Sequence, residues 1–296
     1  MPGPWSRTPV WAGGRRIREK WGTRVVDFET LLKGTHLPSV NLRSIAAIEG
    51  WLTEEATDLT MRLAHVQLAL GHAGGILELG VFKGKYLSLL TSLFQDAGVP
   101  AVGVDAFLAR LGEPVELCWQ EAAKAQILQT VAGLAPRSIP PVLLAGFTRD
   151  IEPAALRAIV PNGFGFVSVD AGHEAPDVEH DLGLVEAVMT EQAIVAVDDV
   201  FHPRVPGVVE GLCRYFFRHP ESVLRPFAIC GNKVFFCTRS MHRTYLEYTR
   251  WILGDARALP YVRKSAVSQE QDRTANFTTR FLGQEVAVFY SVFLWN

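Results

Sequence analysis

The stretch Ile76-Leu77-Glu78-Leu79-Gly80-Val81-Phe82-Lys83-Gly84 decides how the chain reads. A short, mostly apolar run meets a turn with two glycines. The amphipathic segment Tyr86 to Ala97 follows, and Gly98 stops it well. Strand, glycine turn and helix open an α/β unit, in which ligands settle outside the carboxyl ends of the strands at a switch point. Gly80 permits a tight turn and a close approach of ligand to backbone. The spacing is not G-x-G-x-x-G, which argues against a nicotinamide dinucleotide and an oxidoreductase built on it. No Gly-Lys-Ser/Thr follows, so a phosphate-binding loop is not expected either. Glu78 would repel a pyrophosphate and suits a cationic ligand such as a sulfonium or amino group. Alone, the motif also fits a purely structural turn.

Downstream, short apolar runs alternate with helical patterns. The expected strands are Ile76–Leu79, Ala101–Val104, Val142–Leu144, Phe166–Val169 and Ile194–Val197. Helices are expected over Tyr86–Ala97, Asp177–Met189 and Pro206–Phe217. Continuous apolar strands alternating with helices predict a parallel sheet covered on both faces. Pro226–Ile229 and Lys233–Cys237 are separated by too few residues for a crossover, so they should pair as an antiparallel hairpin. Five parallel strands plus a closing hairpin is the expected core, over residues 71–240. Upstream, residues 1 to about 35 look irregular, and Leu42 to Leu70 looks helical. Thr53 is the expected N-cap, and Ala56, Leu59, Leu63, Val66 and Leu70 share one face. Residues 1–70 thus read as an irregular segment and a helical cap. Residues 241–296 read as an extension, a lid or a subunit contact. In it Tyr245–Leu253 looks helical, Ser265–Asn276 looks like loop, and Val286–Trp295 reads as a strand or buried tail.

Two further strand ends carry acids. In Val102-Gly-Val-Asp105, the acid after the second strand is placed to accept hydrogen bonds from ribose hydroxyls. A helix N-cap or loop aspartate is the plainer alternative, but with the first motif at this separation the ribose contact is the expected role. Val167-Ser-Val-Asp170-Ala-Gly-His173 ends the fourth strand, and Ala196-Val-Asp198-Asp199 ends the fifth. Neighbouring parallel strands present these ends at one edge, so the three carboxylates should converge. Clustered carboxylates repel one another unless a cation neutralises them. An all-oxygen set suits Mg²⁺, Mn²⁺ or Ca²⁺ over zinc. His173 is placed to take a proton near neutral pH. Lys83, Lys85, His180 and His202 read more simply as solvated or loop residues, and Trp119 as a packing residue.

The 296 residues are 48% hydrophobic and 20% charged with a net charge of −2, which suits a globular chain and gives no basic footprint for nucleic acid. The four cysteines form no C-x-x-C pair, so buried free thiols in a reducing compartment are expected. The N-terminus lacks the apolar core of a secretory signal, and no run is long enough to span a bilayer. The expectation is a cytoplasmic protein with a small-molecule partner and no nucleic acid or membrane, compatible with a homo-oligomer.

Taken together, Glu78-Leu-Gly80-Val-Phe-Lys-Gly84, Gly103-Val-Asp105, Asp170-Ala-Gly-His173 and Asp198-Asp199 with Pro206-Gly207-Val208 resemble class I S-adenosylmethionine-dependent methyltransferases with the seven-strand, Rossmann-like fold. The chain is most similar to the metal-dependent macrolide-sugar O-methyltransferases of the macrocin and mycinamicin type. Gly146-Phe-Thr-Arg-Asp150-Ile resembles that group's segment after the third strand. The resemblance implies S-adenosylmethionine held by Glu78, Gly80 and Gly84, with Asp105 on the ribose and Asp170 also facing the cofactor. It implies a magnesium ion, or another divalent cation, on Asp170, Asp198 and Asp199, with His173 as general base acting on a small-molecule hydroxyl. Two departures stand out. Asp198-Asp199 replaces the group's common Glu-Asp, and Ala171-Gly172 replaces its Gly-Asp. The alternatives left open are a metal-independent methyltransferase and a non-catalytic S-adenosylmethionine-binding protein.

Overall fold

A computed structural model describes residues 26–108, 117–254 and 278–289. The core strands fall where the apolar runs place them. They are β1 (Gly75–Leu79), β2 (Ala101–Asp105), β3 (Val142–Ala145), β4 (Phe164–Val169) and β5 (Met189–Val197), all mutually parallel, then the hairpin β6 (Leu224–Cys230) and β7 (Lys233–Thr238). The sheet order is β3-β2-β1-β4-β5-β7-β6, and it continues. Here the strand count departs from expectation. A second hairpin, β8 (Thr278–Phe281) and β9 (Gln284–Phe289), adds to β6 in parallel through β9 and makes nine strands among the described residues. Val286, Ala287 and Phe289 are buried in this added strand, so the described part of the C-terminal apolar run is sheet, and residues 290–295 lie outside the described residues.

Alternate strand residues serve opposite layers. Ile76, Phe166, Ile194 and Phe235 face α3 (Glu54–Ala69), α4 (Lys85–Leu93) and α9 (His242–Gly254). Leu77, Val167, Val195 and Phe236 face α6 (Pro153–Ile159), α7 (Ala175–Val188) and α8 (Gly207–Arg218). Each such fully buried side chain contributes about 1.5–3 kcal/mol, so both layers are needed to cover one sheet. Thr53 caps α3 as expected, its hydroxyl accepting from the Ala56 amide at 3.1 Å. Within 107–135, α5 (Leu117–Leu134) packs beside α4. The expected contribution of the Trp119 side chain lies outside the described residues.

The helical stretch 42–70 is two helices, because α2 (Leu42–Ala46) stops before Thr53 opens the next. The segment up to residue 35 is not wholly irregular. Asp27 accepts from the Thr30 amide and starts α1 (Phe28–Lys33). Phe28 is buried against Tyr248 and Trp251 of α9, with ring centroids 5.2 and 6.1 Å away. Helices from the two ends of the chain therefore share one apolar cluster with β1 and α4. Cys230 and Cys237 are buried free thiols as expected, whereas Cys213 is exposed on α8. No described helix is long and apolar enough to cross a membrane.

Candidate active site

Backbone register builds the site before any side chain does. Leu79 pairs with Val104 and Val169, Val169 with Val197, and Val197 with Val234. One residue beyond that level lie Asp105, Gly80, Asp170 and Asp198 at the carboxyl ends of β2, β1, β4 and β5. Lys233 opens the antiparallel β7 beside them. The ladder still holds at this level. Gly80 N–H donates to Val104 at 2.8 Å, Asp170 N–H to Leu79 at 2.8 Å and Asp198 N–H to Val169 at 3.0 Å. The crevice at the switch point between β1 and β4 is therefore rigidly framed.

The two glycines are required by the chain's own packing. Gly80 sits at φ +84°, and a Cβ there would lie 1.9 Å from the Asp170 carbonyl oxygen. Gly84 sits at φ +78° as the N-cap of α4, where a Cβ would meet Ile127 at 2.8 Å. Asp105 braces the crevice loops. One carboxylate oxygen accepts from the Val81 and Phe82 amides at 2.8 and 2.7 Å, and the other from Phe107 at 2.6 Å. Phe82 and Phe107 both have left-handed backbones, at φ +50° and +47°. Such conformations persist only when surroundings fix them, and Asp105 supplies that fixing. A carboxylate has about four lone-pair sites, so these three bonds leave room for one ribose hydroxyl.

Glu78 is buried, and its Oε2 has no hydrogen-bond partner among the described residues. Burial, reinforced by the Asp170 and Asp105 charges and opposed by Lys233, pushes its carboxyl well above the usual carboxylate range. An orphaned acid oxygen beneath the crevice fits a ligand that brings positive charge, as the sulfonium and amino groups of S-adenosylmethionine do.

Asp170, His173 and Asp199 come together, with one ligand atom of each within 4.8 Å of the others. His173 Nε2 is 3.2 Å from Asp199 Oδ2 and 3.8 Å from Asp170 Oδ1. Burial and the neighbouring Asp198 carboxylate push Asp170 up to about 8. Its hydrogen bond to Asp199 holds His173 above the usual imidazole value, against burial. Burial, the largest single influence, opposes ionisation of Asp199, but the bond to His173 and the charges of His173, His202 and Lys233 together hold it below the usual carboxylate range. Two hard carboxylates that cannot both ionise freely fit Mg²⁺, which often binds through only one or two carboxylates.

Asp198 stands apart from that group. It is buried, its Oδ1 accepts from the Asp199 amide at 2.9 Å, and its Oδ2 accepts from Lys233 Nζ at 2.6 Å. The sequence reading missed Lys233 and Asn232. Lys233 is buried, with its ammonium 4.8 Å from the Tyr86 ring centroid. Burial works against its charge, yet Asp198, Tyr86 and Asp170 hold it above the usual lysine value. The available signal was a lysine at the head of the apolar run Lys233-Val-Phe-Phe-Cys-Thr, in the second strand of the expected hairpin. Among the weaker candidates, Lys85 donates to the Gly50 carbonyl at 2.8 Å, and Lys83 lies 5.5 Å from the Phe82 ring. His180 lies 3.4 Å from Asp181, and His202 accepts from the Arg204 amide.

Residues 77–200, the span from β1 through the Asp198-Asp199 turn, match the family model described as a methyltransferase domain. The matched span is a methyltransferase domain. No curated protein matches it in sequence. Among solved structures it is similar to CalS11, the TDP-rhamnose 3'-O-methyltransferase of calicheamicin biosynthesis, at 20% identity over 73% of this chain and 96% of that one, TM-score 0.45. It is also similar to an O-methyltransferase from Bacillus cereus in complex with SAH, at 12% identity over 70% and 88%, TM-score 0.43. MycE of the mycinamycin pathway, with Mg and SAH, is 15% identical over 73% of this chain and 56% of that one, TM-score 0.43.

Proposed function

We propose that the chain transfers a methyl group from S-adenosylmethionine to a hydroxyl oxygen of a small molecule, with a divalent cation on Asp170 and Asp199 and with His173 as the base. The observation that carries this reading is the convergence of His173 with Asp170 and Asp199 at the rim of the switch-point crevice. When bound, S-adenosylmethionine supplies an electrophilic methyl group and the cation supplies Lewis acidity toward the acceptor oxygen. Glu78 and the braced loop after β1 would receive the cofactor, with Asp105 offering its remaining lone pair to a ribose hydroxyl. His173 would take the acceptor's proton at Nε2, and Asp199 would steady the imidazolium that results. The acceptor oxygen gains a carbon bond as the sulfonium loses one, so the proton on His173 completes the balance. Holding the oxygen close to the methyl supplies much of the rate.

The test is calorimetry with S-adenosylmethionine, followed by transfer of labelled methyl to a panel of hydroxylated small molecules, with Mg²⁺ or excess EDTA. Binding of the cofactor and chelator-sensitive transfer are expected. Failure to bind the cofactor would overturn the reading. Transfer unchanged in EDTA would leave a metal-independent methyltransferase, a second reading favoured by one observation: the Lys233 ammonium already stands among the carboxylates.

A further inference from the structure

We infer that Lys233 withholds Asp198 from the cation, so that the ion is held by Asp170 and Asp199 without a third carboxylate. The inference rests on the cation part of the function proposed above and deepens it by assigning Lys233 as the residue that sets the ion's affinity.

Strand register brings the two residues together. Val197 of β5 pairs with Val234 of β7, so the next residues outward, Asp198 and Lys233, face each other across antiparallel strands. Residues two apart along a strand share a face. Asp198 therefore shares a face with Ile194 and Ala196, and Lys233 with Phe235 and Cys237, toward α4. The ammonium is caught between the Asp198 carboxylate and the Tyr86 ring. Tyr86 is itself fixed by a 2.9 Å hydrogen bond with Thr60 of α3. Both Asp198 oxygens are engaged, one by Lys233 and one by the Asp199 amide. Reaching the Asp170–His173–Asp199 group would require Asp198 to abandon a buried ammonium and leave that charge unpaired, which is strongly unfavourable.

The consequence is electrostatic as well as geometric. A fixed positive charge among the acids lowers the affinity of any second cation. A third carboxylate ligand is also removed from the set. Lys233 is thus a positioning residue, bonded to Asp198 and packed on Tyr86, and it acts through Asp198.

The experiment is titration of Mn²⁺ and Mg²⁺ into the full chain, followed by calorimetry and by the loss of free Mn²⁺ signal in electron paramagnetic resonance. Lys233→Met should bind Mn²⁺ at least tenfold more tightly than wild type, because it removes the competing charge and frees Asp198. The double variant Lys233→Met/Asp198→Asn keeps the net charge and removes a buried pair, a change that is often neutral or stabilising. It should bind Mn²⁺ within threefold of wild type. A tenfold loss in the double variant would show Asp198 to be a ligand and overturn the inference, while leaving the proposed function intact. Unchanged or weaker binding by a folded Lys233→Met would overturn it too. If Lys233→Met does not fold, the double variant decides alone. Wild type that binds neither ion would overturn the cation part of the function and this inference together, while S-adenosylmethionine binding in the same samples tests the methyltransferase reading separately.

Discussion

The side-chain amide of Asn232 donates to Oδ1 of Asp199 at 2.5 Å, while the Asn232 carbonyl accepts from the next residue, Val200, at 2.9 Å. The β6–β7 turn thus holds the end of β5 from both sides. Asp199 needs the support, because its φ of +56° is rare for any residue but glycine and costs on the order of 1–3 kcal/mol. Its other oxygen faces His173. Asn232→Ala should therefore weaken Mg²⁺ or Mn²⁺ binding by about 10–100-fold, the range seen when partners that orient a metal ligand are lost. S-adenosylmethionine affinity should change little. Titration of cation and of cofactor into the same variant checks both, and unchanged cation affinity would show that Asp199 does not act as a ligand.

Asp105 offers a different test, because it combines a structural task with an expected cofactor contact. Removing its carboxylate frees three backbone amides and releases two left-handed phenylalanines. Asp105→Ala should lower unfolding free energy by about 3 kcal/mol, given that each hydrogen bond to a charged group is worth about 1.5–3 kcal/mol and the site is partly open to solvent. Asp105→Asn keeps an acceptor and should recover part of that loss. Urea denaturation gives the stability and calorimetry the cofactor affinity. Lost affinity at full stability would mean that the side chain serves the ligand alone.

The strands and the row of residues at their ends were legible in the sequence because a parallel strand buried on both faces is a continuous apolar run with a sharp end. Ile194–Val197 followed by Asp198-Asp199 is such an end. What the sequence could not convey was orientation within that row. Asp198 and Asp199 are adjacent letters, yet Asp198 turns to a buried lysine of the neighbouring strand and Asp199 to a histidine after β4. Only the β5–β7 register reveals this. The nine-strand sheet was hidden for a similar reason. Thr278–Phe281 is short and half exposed, and nothing local says that β9 will choose β6 as its partner. The first helix, one and a half turns around Phe28, owes its place to Tyr248 and Trp251 far along the chain.

Asp58, away from the crevice, carries the clearest pH dependence. It is buried on α3 with Arg62 Nε 3.5 Å away, and burial raises its carboxyl to about 6 despite that neighbour. The native state then holds a proton that the unfolded chain gives up near its ordinary value, so stability falls as pH rises from about 4 to 6 and stays lowered above. A shift of this size corresponds to a ceiling of about 3 kcal/mol. Asp58→Asn should remove that slope and be more stable than wild type at pH 8, by an amount reduced by the lost attraction to Arg62. Urea midpoints at pH 5 and pH 8 check this. A gap between variant and wild type that does not widen with pH would refute it.

His173→Gln separates a base from a ligand. A glutamine keeps the size and a hydrogen-bond partner for Asp199 but takes up no proton. If His173 is the base, kcat should fall by about 10²–10⁴-fold, the usual contribution of a positioned proton acceptor. KM for S-adenosylmethionine should hold. In wild type the rate should rise with pH as His173 loses its proton, and Asp199 moves that limb above the ordinary imidazole value. The variant should lack the limb, and its residual rate should climb only where the acceptor hydroxyl ionises in solution. If His173 instead binds the ion, the variant should lose cation affinity and partly recover its rate at high Mg²⁺. Saturating the variant with Mg²⁺ and repeating the pH profile decides between the two, because added cation replaces a missing ligand's binding energy but not a missing proton acceptor.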